Sequence, residues 1–424
     1  LRPHVVLIPG FFGFANLGDF AYFKHVIDAM ERALADRGLD GAVHVVATYP
    51  TASLSRRAAR VAETLSAIVD AEPGAASSFH LIGHSSGGID ARLLTARDVT
   101  LPTEAPVAAL ADRVRTVVTL SSPHFGSPLA AFLSSVFGAQ ILRLLSLFTI
   151  YRLRTGRVPV GPALQLAHQL ALFRILGRFA ERFASGTLVE NLYRDLLSQF
   201  SADRRAAIVS FFDSVGQDQE LLAQVTPAGM DLVNATTVPR ADVRYGSVVT
   251  RALRPGLRTH LAVGPSPFRQ LTHLLFRAAY RLTASSAPAP RTISDGQRAA
   301  LVNAFGVVPD GRDNDGFVPT LSQVWGEILF AAEADHLDTL GHIQAPRCVP
   351  PHYDWLNSGC DFSLDDFHRL WERVAAFVFD EAATVSVGGA NGAGRGARRG
   401  GLRASPGDPR AAPDGPRRAH ARRP

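Results

Sequence analysis

Five residues, Gly83-His84-Ser85-Ser86-Gly87, constrain this chain more than any other stretch. A serine with glycines two positions to either side fits a turn so sharp that side chains at those flanking positions could not be accommodated. Such a turn needs a strand entering it and a helix leaving it. Residues 79–82 form a short apolar run of strand length, and residues 87–97 have helical spacing. A loop merely rich in Gly and Ser would not require the strand that runs into it.

The segments around the turn extend the constraint. Residues 5–8 are an apolar run, and residues 23–37 carry Val26, Ile27, Met30 and Leu34 on one helical face. Residues 42–47 are apolar and β-branched, residues 55–69 are helical again, and Val114–Leu120 reads as a strand. Strands alternating with helices predict a mainly parallel α/β sheet with helices on both faces. After Pro128 the rhythm changes. Residues 129–151 are almost wholly apolar, 163–183 and 191–212 are helical stretches rich in Leu and Phe, and no strand pattern returns before residues 243–249. Residues 129–240 therefore read as a helical lid or cap insertion, dividing the core into residues 1–128 and 241–383. The apolar run is long enough for a transmembrane helix, but Arg143 near its middle is costly in lipid. Residues 252–308, with their Pro-Ala-Pro, read as a second and irregular excursion. Residues 326–331 read as a late strand, and Leu364–Phe379 as a closing amphipathic helix.

The sequence pI near 9.8 suggests a nucleic-acid partner until the charge is located. Residues 385–424 hold nine Arg and two Asp, a net of +7, while the whole chain is +6, so residues 1–384 sum to −1. The basicity belongs to a tail, residues 384–424, whose Gly, Ala, Arg and Pro carry no apolar period and read as disordered. No nucleic-acid partner is expected for the body. Two cysteines, Cys348 and Cys360, exclude a disulfide scaffold and a zinc cluster. They either bridge one another, as would suit an exported protein, or are unrelated thiols. The chain opens at Leu1, and residues 5–8 are already strand-like, so no signal peptide is legible and the start gives no address.

A serine on such a turn suits nucleophilic attack on an acyl carbon, and two backbone N–H groups are then needed for the oxyanion. One belongs to Ser86, the residue after the nucleophile. The other is expected from Phe11, in the Pro9-Gly10-Phe11-Phe12-Gly13 turn after the first strand. The chain order expected for this architecture is serine, acid, histidine. His336 follows the late strand after a short loop, where the base belongs, and His342 is its rival. His352 and His368 suit buried structural roles. Among Asp310, Asp313 and Asp315, which crowd one loop, Asp315 stands next to the apolar Phe317-Val318 and is taken as the acid, the other two as solvated turn residues.

These motifs together resemble the bacterial true lipases of the Pseudomonas and Burkholderia type, across most of residues 3–345. The matching pieces are residues 4–14, Gly83 to Gly88, Ser121-Ser122-Pro123-His124-Phe125-Gly126-Ser127, Val243-Arg244-Tyr245, Asn314-Asp315-Gly316-Phe317-Val318 and His336-Leu337-Asp338. The resemblance implies an α/β-hydrolase fold and a secreted bacterial enzyme that cleaves triglycerides or long-chain esters at an oil–water interface under a helical lid. It also implies the triad Ser85, Asp315 and His336. Family members bind calcium near the catalytic histidine. Asp338 matches one ligand, but His342 stands where another would be, so no cofactor is required by the residues at hand. Some members depend on a dedicated folding chaperone. A polyester depolymerase or an acyltransferase would use the same triad. A membrane-associated binding scaffold is the alternative in which the serine does nothing.

Overall fold

Strand β1 (Arg2–Ile8) organises the sheet, and Val5, Val6, Leu7 and Ile8 are all wholly buried. A parallel strand covered on both faces can be apolar throughout rather than alternating. Val5 and Leu7 face one core, with Val26 and Met30 of α1 (Lys24–Asp36) and Leu370, Trp371 and Val374 of the closing helix. Val6 and Ile8 face the other, with Ala58, Ala62 and Leu65 of α2 (Leu54–Ala71). The strands β2 (Ala42–Val45), β3 (Ser77–His84), β4 (Val114–Leu120), β5 (Arg244–Thr250) and β6 (Glu327–Ala332) complete a six-stranded sheet of order β2-β1-β3-β4-β5-β6. Every pairing is parallel. The computed structural model describes residues 1–11, 22–74, 76–134, 194, 197–198, 202, 205, 220–285, 292–349 and 351–380.

From β1 the chain moves outward to β2, then returns to lay β3 on the other side of β1. The strand order thus reverses direction between β1 and β3, and the crevice beyond the carboxyl ends of two such strands is where open α/β sheets place their sites. Helix α3 (Ser86–Thr95) leaves β3 directly, and α4 (Val107–Ala111) is a short helix that the sequence did not announce. This parallel sheet, covered by helices on both faces and turning sharply from β3 into α3, is the expected α/β-hydrolase fold.

Between β4 and β5 the described ends of the expected insertion are helical: α5 (Pro128–Leu133), α6 (Glu220–Gln224) and α7 (Pro227–Thr236). Most of the expected apolar run, the stretch 163–183, most of 191–212 and the tail from 384 lie outside the described residues. Among the described residues no helix is long and apolar enough to cross a membrane. The expectation of an irregular 252–308 is corrected. It contains α8 (Leu257–Val263), α9 (Pro267–Thr283) and α10 (Asp295–Phe305). The Pro-Ala-Pro that suggested loop lies outside the described residues; within the described part, Pro267 stands in the first turn of α9, and Gly306 closes α10 in the left-handed conformation. The closing helix, α11 (Leu364–Phe379), starts at a capping box in which Ser363 and Asp366 satisfy each other's backbone N–H groups.

Candidate active site

Ser85 sits between β3 and α3 with φ 55° and ψ −130°, a conformation that costs a non-glycine residue energy and is held only by its surroundings. The surroundings are backbone. A Cβ on Gly83 would lie 2.3 Å from the Gly87 carbonyl oxygen, and one on Gly87 would lie 2.2 Å from that of Ile8. The Ser85 N–H donates to the Leu120 carbonyl at 2.8 Å, anchoring the turn on β4.

The turn after β1 meets this serine at close range. A Cβ on Gly10 would stand 2.6 Å from the Ser85 Cβ and 3.3 Å from its Oγ, so the backbone leading into Phe11 runs alongside the Ser85 side chain. Its carbonyl side is clamped: Arg57 Nη2 donates to the Pro9 oxygen at 2.8 Å while Nε and Nη2 bind Asp90 of α3 at 2.9 and 2.7 Å. Both partners are fully buried. Burial pushes the Asp90 carboxyl up to about 6 against the pull of Arg57. Ser86 is the first residue of α3, where the helix itself supplies no acceptor for the N–H. The two expected oxyanion donors, Phe11 and Ser86, thus lie on backbone to either side of Ser85.

Asp315 and His336 are brought together. His336 Nδ1 lies 2.8 Å from Asp315 Oδ2. The Asp315 carboxylate also accepts from the backbone N–H groups of Phe317 and Val318, at 2.9 and 2.8 Å, and from Thr250 Oγ1 and Gln323 Nε2, at 2.9 and 3.2 Å. A carboxylate is acceptor-only, so Nδ1 must carry the proton and Nε2 is left with its lone pair. The Phe317 ring stacks on the imidazole with centroids 5.1 Å apart. Ser85 joins this pair through its neighbour: the His84 ring is 4.7 Å from the His336 ring, and His84 Nε2 lies 2.8 Å from the His336 carbonyl oxygen. Among the described residues no hydrogen bond links Ser85 Oγ to the His336 ring itself, a contact that is often loose before substrate binds.

The other candidates separate from the site. His342 is buried, and burial together with the neighbouring His25 and His352 pushes it down to about 3; Asp315 makes no bond to it. His352 is buried, as expected, and donates from Nδ1 to the Gly341 carbonyl at 2.7 Å. His368 is corrected: it is exposed, on the outer face of α11. Asp313 is corrected too. It is buried and paired with Arg254, which also binds the exposed Asp310. Cys348 and Cys360 are free thiols rather than a bridge.

Asp338 Oδ2 accepts the Asp335 N–H at 2.8 Å, and burial, together with the nearby Asp354 carboxylate, raises both carboxyls well above the usual carboxylate range. Among the described residues no group of three or more His, Cys, Asp or Glu side chains is arranged to hold a metal ion. Sequence reasoning missed Thr250, Gln323, Tyr22 and the Arg57–Asp90 clamp. Only His84, inside the motif itself, carried a visible signal.

The fold is that of an α/β-hydrolase, and its strained serine is joined through His84 to an aspartate-bound imidazole. No known protein family and no curated protein matches the chain. Among solved structures it is similar to a metagenomic carboxyl esterase, at 18% identity over 88% of this chain and 75% of that one, with TM-score 0.43. It is also similar to the Staphylococcus hyicus lipase (14% identity, 89% and 95% covered, TM-score 0.46) and to lipase 1 from Pelosinus fermentans (17%, 88% and 98%, TM-score 0.46). These are distant likenesses of shape, and the functional reading rests on the chain's own residues.

Proposed function

We propose that this chain is a carboxylic ester hydrolase working through a Ser85 acyl-enzyme. The observation that carries the reading is the convergence of the strained Ser85, the Gly10–Phe11 backbone against its side chain, and the Asp315–His336 pair one residue away. Ser85 Oγ attacks the ester carbonyl while His336 Nε2 takes its proton. The Phe11 and Ser86 N–H groups stabilise the oxyanion, and the imidazolium, held by Asp315, returns the proton to the leaving alcohol. Water then adds to the acyl-enzyme by the same route and releases the acid.

The finer reading is a secreted triacylglycerol lipase with residues 129–240 as its lid. Its support is the motif order and the apolar character of that insertion, which a protein in water must cover. A fluorophosphonate probe tests the chemistry: the full chain should be labelled at Ser85, and peptide mapping that finds no adduct there would end the proposal. A panel of esters from short to long acyl chain tests the lipase reading, which fails if emulsified long-chain substrates are not cleaved.

A further inference from the structure

The imidazole of His84 is almost wholly buried and lies between two partners whose chemistry fixes its proton. Its Nε2 is 2.8 Å from the His336 carbonyl oxygen, which can only accept, so Nε2 carries the hydrogen. Burial keeps the ring from taking a second proton. Nδ1 therefore has a lone pair, and Tyr22 Oη, 2.6 Å away on a buried side chain, must be the donor. The chain of bonds has one direction: Tyr22 O–H to His84 Nδ1, His84 Nε2–H to the His336 carbonyl.

The receiving carbonyl belongs to the residue assigned as the base. The His336 N–H donates to the Asp315 carbonyl at 3.1 Å, its Nδ1–H to the Asp315 carboxylate, and its ring face is covered by Phe317. With His84 on the remaining backbone atom, the residue is held on every side except Nε2, the atom that must reach Ser85. Because His84 directly precedes Ser85, one residue holds the base while its neighbour supplies the nucleophile. A cation at 4.7 Å would oppose formation of the His336 imidazolium, so the site needs His84 neutral; burial keeps it so, and the Tyr22 hydroxyl donates to the lone pair left on Nδ1.

We infer that His84 and Tyr22 are positioning residues that set the distance between His336 Nε2 and Ser85 Oγ. This rests on the reading of Ser85, His336 and Asp315 as a working triad. The test uses the full chain with a soluble short-chain ester. His84→Leu should lower kcat on the order of 10- to 100-fold, the scale of a displaced catalytic group, with KM within about twofold and melting still cooperative. In His84→Gln the side-chain N–H can reach the same carbonyl, and most of the lost kcat should return, with the acidic limb of the kcat/KM profile unmoved. Tyr22→Phe should fall between the two. His84→Leu at full kcat, or His84→Gln no better than His84→Leu while both are folded, would overturn the inference. If His84→Leu does not fold, His84→Gln and Tyr22→Phe decide: a kcat change matched by KM in either one points to a structural role only. Full activity in Ser85→Ala would instead remove the triad reading itself, a result the His84 variants cannot mimic.

Discussion

The two sides of the site are held by different physics. The nucleophile side is backbone against backbone: Gly83, Gly87 and Ile8 approach so closely that no added atom fits. The base side is loop, and side-chain hydrogen bonds from Thr250, Gln323, Asp315 and His84 hold it in place. Steric restraint has no titratable element and no partial failure. A hydrogen-bonded network can lose one member and keep its shape, so the two sides should respond differently to substitution and to pH.

The largest effect separates chemistry from scaffold. Ser85→Ala should abolish ester cleavage, on the order of 10⁶ in kcat if the triad acts as a unit, while the melting temperature stays near that of the parent. Gly87→Ala should be equally inactive for another reason, failing to yield a cooperatively melting protein. A folded, active Gly87→Ala chain would show that the elbow tolerates displacement and that the contrast is wrong. On the base side Asp315→Asn should remain folded and lose about 10⁴ in kcat, because an amide N–H facing Nδ1 favours the wrong tautomer. His342→Ala should keep most activity.

A smaller effect concerns pH. His25, stacked on His352 beside the base loop, is pushed down to about 4 and His342 to about 3, chiefly by burial. Groups depressed in the folded state contribute stability that is present above their ordinary value near 6.5 and is lost as pH falls through the folded values. Asp335 and Asp338 act oppositely. Raised in the fold, they contribute stability at low pH that is lost as pH rises past the ordinary carboxylate range. These contributions oppose one another between pH 6 and pH 4, so the check is the difference between variants: on acidification over that range the melting temperature of His25→Asn should drop less, or rise more, than that of the parent. Identical slopes would mean the histidine pair is not the cause. The smallest effect is expected from removing residues 388–424, which should leave melting and activity unchanged, since that composition offers no apolar surface to bury.

How much the sequence revealed follows the same division. The elbow was legible because sterics restrict residue type: only glycine fits at 83 and 87, and a buried strand must be apolar throughout. Asp315 and His336 were legible by order and by their place after β5 and β6. Their supporting bonds were not, because Thr250, Gln323 and Tyr22 are ordinary polar residues whose meaning comes from partners distant in the chain. The helices α8 and α9 are hard to read in the sequence, because Gly256, Gly264 and Pro267 interrupt it every few residues, and such punctuation marks helix ends as readily as loops. Asp313 was taken as solvated because nothing near it in sequence announces Arg254.

Strand β6 lies at the margin of the sheet, bonded among the described strands to β5 alone, and His336 follows it by four residues. During synthesis the serine, its turn and the four strands β1 to β4 leave the ribosome long before the histidine does. On the proposed triad, a growing chain thus carries its nucleophile before the histidine it needs has been made. On that reading, reactivity waits for the final strand to dock on β5. If that strand lifts away again, the histidine leaves with it while the centre of the sheet stands.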